Sequence, residues 1–196
     1  ALWPIVLVII AAVFTYNLCV RTGAMDVIGS MITSISSDRR LLALLVAWCF
    51  GGFMEGMAGF GTAVAIPAGM LAGLGFEAVP AVLICLLANG VPTPYGSIGI
   101  PTVSVADLVG LDSLHLATVQ LVQLAPFFVV MPLLIVLVAG RVADDQGNVA
   151  SVGERLHGVA GIALLSGASF VGAALVVAMF VGPELAVVVG SIVSLA

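Results

Sequence analysis

The 196-residue sequence contains no lysine and only five basic residues, all arginine, against ten acidic ones. A clustered basic surface is missing, which excludes a nucleic-acid footprint. A polybasic patch for anionic lipid headgroups is missing as well. Charged residues make up 8% of the chain, where soluble domains carry about 25%. That is too little polar surface for a fold that faces water. The three cysteines, Cys19, Cys49 and Cys85, lie in apolar runs without CxxC or Cys/His spacing. They read as small core hydrophobes, and no metal or other cofactor is expected. The opening stretch has no basic n-region and is long enough to span, so it is not a signal peptide. The first residue is Ala1 and the last apolar run is cut at Ala196, so a fragment of a longer protein is expected.

What the sequence has is apolar length. Hydrophobic residues reach 62% and the mean hydropathy is +1.33. The expected class is an all-α integral membrane protein. Residues 2–20 match the roughly 20 residues a spanning helix needs, with Trp3 and Tyr16 as interface anchors. In 21–40, charged residues bracket Met25, Val27, Ile28, Met31, Ile32 and Ile35, which share one helical face. An interfacial helix fits.

Residues 41–75 stay apolar for too long. A straight helix would reach about 52 Å against a hydrocarbon core of about 30 Å. Near the middle lies Gly51-Gly52-Phe53-Met54-Glu55-Gly56-Met57-Ala58-Gly59-Phe60-Gly61-Thr62, one carboxylate among five glycines. A re-entrant hairpin with its turn there is expected, and Pro67 sits in its second arm. A discontinuous span over 78–112 follows. It is broken at Asn89 to Pro101, where three prolines and three glycines fall within the run from Asn89 to Pro101. Residues 102–115 read as a short helix and loop. Further spans are expected over 116–140 (with Pro126 and Pro132) and 157–181, and a truncated one over 183–196. Residues 141–156 form a polar loop.

The arginines test this order. They occur at Arg21, Arg39, Arg40, Arg141 and Arg155 only, and cytoplasmic loops collect arginine. A shared side requires an even number of crossings between the two groups. A hairpin over 41–75 makes the count even, and a full span there makes it odd.

Irregular backbone inside a membrane survives only when buried in protein or lining a cavity. Broken helices expose N–H groups and the positive dipole end, which suit a carboxylate anion. With no arginine in the apolar core, an anion would rest on backbone N–H at Gly59 and Gly61 and on Thr62, Asn89, Thr93 and Ser97, or on a cation in the missing part of the chain. Glu55 is the natural proton carrier, since intramembrane carboxylates are usually functional; the plainer alternative is a buried acid that holds the turn. The pairs Gly52/Gly56 and Gly69/Gly73 also fit close helix packing, and Asn89 also fits a helix C′ cap. His115 and His157 read as interfacial, Asp107 and Asp112 as solvated.

The stretch from Gly51 to Thr62, then Gly73-Leu74-Gly75-Phe76, then the run from Asn89 through Pro92 to Tyr95-Gly96-Ser97-Ile98-Gly99-Ile100-Pro101 resembles the lactate/glycolate permease family. That family has a similar E-G-x-A-G-F-G stretch, a G-L-G-F turn and an Asn/Pro stretch ending in G-I-P. The likeness covers roughly 40–105. It implies proton-coupled symport of small 2-hydroxymonocarboxylates across a bacterial inner membrane by a multi-pass protein. It also implies an inverted-repeat fold of which this chain holds mainly the first repeat. Substrate, protons and membrane lipid are then the partners, and a homo-oligomer is compatible. A channel subunit with a glycine-rich filter is the alternative from the residues alone. An enzyme is not expected, for no nucleophile has a placed base.

Overall fold

A computed structural model describes residues 35–59, 61–141 and 150–196, with isolated positions before 35. Most of the expected 2–20 span, eight residues of the 21–40 interfacial helix and 142–149 of the 141–156 loop lie outside the described residues. The described residues are mainly helical, and no strand occurs among them. We number the helices α1 (Arg39–Met57), α2 (Thr62–Gly73), α3 (Ala78–Gly90), α4 (Gly96–Val109), α5 (Ser113–Ala139), α6 (Val152–Leu156), α7 (Ala160–Phe180) and α8 (Pro183–Leu195).

Three of them, α1, α5 and α7, are long and apolar enough to cross a membrane. Helices α3 and α4 qualify together as a fourth, bent by 69°. With the apolar composition this is an all-α, multi-pass membrane protein. In α1, 61% of the apolar stretch is buried inside the protein, against 28% in α5 and 44% in α7. Helix α1 is therefore the axis of the bundle, and α5 presents much of its surface outward.

Helix α1 starts at Asp38, whose side chain accepts from Arg40 N–H as an N-cap. From Leu44 to Phe50 it winds as a π-helix. The wider turns re-phase the face that carries Glu55. Trp48 lies there, with ring centroids 6.0 Å from Phe128 of α5 and 5.1 Å from Phe170 of α7. Phe128 and Phe170 are 5.0 Å apart. Each such pair adds about 0.5–1.5 kcal/mol beyond area burial. Small residues let the backbones close around this cluster. A Cβ on Gly167 would come 2.7 Å from Phe128 O and 2.8 Å from Val129 Cα. Gly52 and Gly56 pack against Phe170, Ser191 and Val188, as the small-residue spacing suggested. Gly69 and Gly73 are exposed, so that spacing does no packing in α2.

Helix α2 brings the chain back. Arg39 donates to Gly75 O (3.0 Å) and its guanidinium lies 4.5 Å over the Phe76 ring. The two ends of the 39–75 segment therefore meet, while its middle reaches the second break. Arg40 pairs with Asp38 at 2.7 Å and donates to Arg155 O (2.8 Å) and His157 O (3.1 Å). The start of α1 is thus tied to the end of α6.

Three boundaries differ from the sequence reading. Helix α3 runs on to Gly90, so Asn89 is inside a helix and not its C′ cap. The break is narrower, a turn at 91–95 and a left-handed stretch at 97–99, because Pro92 has no N–H to give and ends the ladder. Residues 113–115 belong to α5, which Asp112 caps by accepting from His115 N–H (2.8 Å). Helix α5 then continues through Pro126 and Pro132.

Two outcomes follow. Single cysteines at Ser37, Glu77 and Ser151 of the complete protein, with native cysteines replaced, should label from one and the same side. Opposite labelling of positions 37 and 77 would mean that the 39–75 segment crosses. Second, hydrogen bonds from Arg40 hold the Asp38 carboxyl below the usual carboxylate range. A value lower in the folded than in the unfolded state adds stability above the unfolded value, lost as pH falls through the folded one. The pair is partly exposed, so it is worth under about 1 kcal/mol. Acidification should lower Tm slightly more in wild type than in Asp38→Asn.

Candidate functional site

Glu55 stands near the C-terminal end of α1, 3% exposed. Its Oε2 has no hydrogen-bond partner among the described residues. Its carboxylate lies against Gly96, where a Cβ would overlap Oε1. Only a glycine lets the backbone come this close.

The loop after α1 meets the same element. Ser97 Oγ donates to Ala58 O (2.6 Å). Gly59, at φ +55°, faces the Ser97 hydroxyl and N–H with no room for a Cβ. Gly61, at φ +87°, precedes α2, and Thr62 Oγ1 donates back to Gly59 O (2.7 Å). Ser97 (φ 49°, ψ 53°), Ile98 (φ 59°, ψ 43°) and Gly99 (φ 70°, ψ 11°) form a left-handed turn that opens α4. Gly99 in turn abuts Pro183 and the Glu184 N–H at the start of α8. So α2, α4 and α8 all begin at one junction, and α1 ends there. Helix starts carry unsatisfied N–H groups and the positive dipole end, and so favour an anion.

Of the residues singled out from sequence, Glu55, Gly59, Thr62 and Ser97 come together here. Gly61 borders them on an open side, with nothing within 4 Å of a built Cβ. Asn89 and Thr93 engage each other instead: Thr93 Oγ1 donates to Asn89 O (2.7 Å). Asn89 Oδ1 is buried without a partner among the described residues, and Thr93 is exposed. Ser97, Thr62 and Thr93 all spend their hydroxyl proton within the protein, which leaves backbone N–H as the donor for an anion. His115, His157, Asp107 and Asp112 are exposed and apart from the junction.

Sequence reasoning missed Gly96, Pro183 and Glu184. Gly182-Pro183-Glu184 is a legible helix start, with Pro at N1 and an acid in the first turn. Nothing local says that it backs onto Gly99. It also missed what secures the bend. Tyr95, fully buried, donates to Ala117 O (2.6 Å), and Thr102 Oγ1 pairs with Pro94 O (2.7 Å) and Gln120 Oε1 (2.8 Å). These bonds fasten the turn to α5.

A bundle of apolar helices whose broken ends surround one buried acid defines a class: membrane proteins that handle a small polar solute within the bundle. The comparisons give the family. The L-lactate permease family matches over residues 1–196, and the chain belongs to it. An L-lactate permease of Streptococcus iniae is 43% identical over 97% of this chain and 38% of its own length. An L-lactate permease of Escherichia coli K12 is 39% identical over 99% of this chain and 33% of its own. The glycolate permease of the same strain is 36% identical, again over 99% and 33%. The chain thus spans between a third and two fifths of the length of these relatives. They are permeases and not enzymes. No solved structure matches.

The junction's packing is testable with two glycines of like backbone. Gly99 (φ +70°) faces backbone within about 3 Å, and Gly110 (φ +68°) faces open space. Gly99→Ala adds steric overlap to the same conformational cost. It should destabilise the complete protein by about 1–3 kcal/mol more than Gly110→Ala, read as thermal unfolding in detergent. Equal losses would mean that α8 does not seat on the bend.

Proposed function

We propose that this chain is part of a proton-coupled symporter for small 2-hydroxymonocarboxylates, such as lactate or glycolate, in a bacterial inner membrane. The observation that carries the reading is the junction: a buried carboxylate with one oxygen unpartnered among the described residues, beside the starting ends of three helices. The names of the relatives supply the substrate class.

The helix starts give the substrate carboxylate a positive environment without a fixed cation. Backbone N–H groups at the helix starts around Gly61 meet the anion, while the Thr62 and Ser97 hydroxyls, spent on Gly59 O and Ala58 O, shape the junction without touching it. Glu55 carries the proton. An arriving carboxylate beside a second carboxylate favours sharing a proton over two like charges, so Glu55 takes up a proton as the anion binds, and the loaded site is neutral. A neutral load avoids moving a charge against the membrane potential, worth about 2.3 kcal/mol per charge at 100 mV.

Glu55→Gln keeps the shape of the protonated form and removes the exchangeable proton. In proteoliposomes of the complete protein it should retain counterflow exchange of labelled lactate and lose accumulation driven by a pH gradient. Undiminished accumulation would make Glu55 a structural acid and place coupling elsewhere.

A further inference from the structure

We propose that Ser97 is a positioning residue: its hydrogen bond to Ala58 O holds the left-handed turn that seats the Glu55 carboxylate on Gly96. The inference rests on the reading of Glu55 as the proton carrier.

The turn needs holding. Positive φ is disfavoured for L-residues and is an outlier for a β-branched one. Ser97 and Ile98 are the two non-glycine residues with positive φ among those described. Such conformations persist where the surroundings over-determine them. Ile98 does not hold itself by burial, since 48% of it is exposed. What grips the turn from the α1 side is the 2.6 Å bond from Ser97 Oγ to Ala58 O. The missing Cβ of Gly59 gives that hydroxyl its place. From the far side, Gly99 rests on Pro183 and Glu184. Gly96 directly precedes the turn and faces Glu55 Oε1. Without the Ser97 bond, positions 97 and 98 relax toward negative φ, Gly96 swings, and Glu55 loses its seat. The hydroxyl therefore acts on proton coupling through Glu55, by geometry and not by touching substrate.

The test uses the complete protein in proteoliposomes, with Ser97→Ala, Ile98→Gly and the double variant. Ser97→Ala should lower pH-gradient-driven lactate accumulation about five- to tenfold, the scale of one net hydrogen bond. Counterflow exchange and its KM should stay within about twofold. Glycine accepts positive φ freely, so Ile98→Gly in the Ser97→Ala background should bring accumulation back to within about twofold of Ile98→Gly alone. A raised KM, an equal loss of exchange and accumulation, or no rescue by Ile98→Gly each overturns the proposal. Should Ser97→Ala fail to fold, Ile98→Gly alone decides: its Tm rises by a few degrees if the turn is strained and falls if it is not. Loss of accumulation in Glu55→Gln but not in Ser97→Ala removes only this inference. Retained accumulation in Glu55→Gln removes the function proposed above.

Discussion

The structure depends on one constraint. Hydrocarbon offers nothing to an unpaired N–H or C=O, so a helix can break inside a membrane only where protein supplies the partners. Here each break supplies the other. The loop that ends α1 offers Ala58 O to Ser97, and Gly59 O takes both the Thr62 hydroxyl and its N–H. The second break is anchored to α5 through Tyr95, which donates to Ala117 O, and Thr102, which meets Gln120 Oε1. The start of α8 closes the third side against Gly99. Neither break would be tolerable alone, which is why they share one level of the bundle.

Around that junction the packing follows the rules of a solvent as apolar as the side chains. Burial of leucine against leucine gives little when lipid is the alternative, so helices associate by close fit and internal polar bonds. The fit is visible at Gly52, Gly56, Gly167 and Gly190, and at the three rings Trp48, Phe128 and Phe170. Polar bonds appear between Ser166 and Ser194 (2.6 Å), with Cys49 Sγ 3.6 Å from Ser194 Oγ. This firm side joins α1, α5, α7 and α8. Gly61 and Thr93 are exposed.

At the opposite end of α1, two adjacent arginines do different work. Arg39 holds the returning end of the hairpin through Gly75 O and the Phe76 ring. Arg40, oriented by Asp38, holds the chain after α6. Guanidinium suits both tasks, because its fixed fork of donors serves several carbonyls at once. The ends of the hairpin and of the α6 loop are therefore fixed to one another.

The sequence by itself determined the class, the broken elements and the central acid. Composition alone required a membrane. An apolar run longer than the bilayer is thick, with glycines and Glu55 at its middle, required a turn within it. Prolines at 92 and 94 required a second interruption, and the motifs about Glu55 and Gly96 carried the family. All of these are local or periodic properties, readable along one strand of text. Tertiary structure decided which glycine serves which neighbour, and where polar side chains spend their protons. Gly96 gives way to Glu55 and Gly99 to Pro183, contacts across 41 and 84 residues that no spacing encodes. Asn89 reads as a helix cap by type, yet the chain stays helical to Gly90 because Pro92 and not Asn89 stops the ladder. The left-handed run at Ser97 and Ile98 runs against local preference altogether. A conformation that the residue itself disfavours cannot be read from that residue; it is imposed by Ala58, Gly59 and Pro183, brought there by the fold.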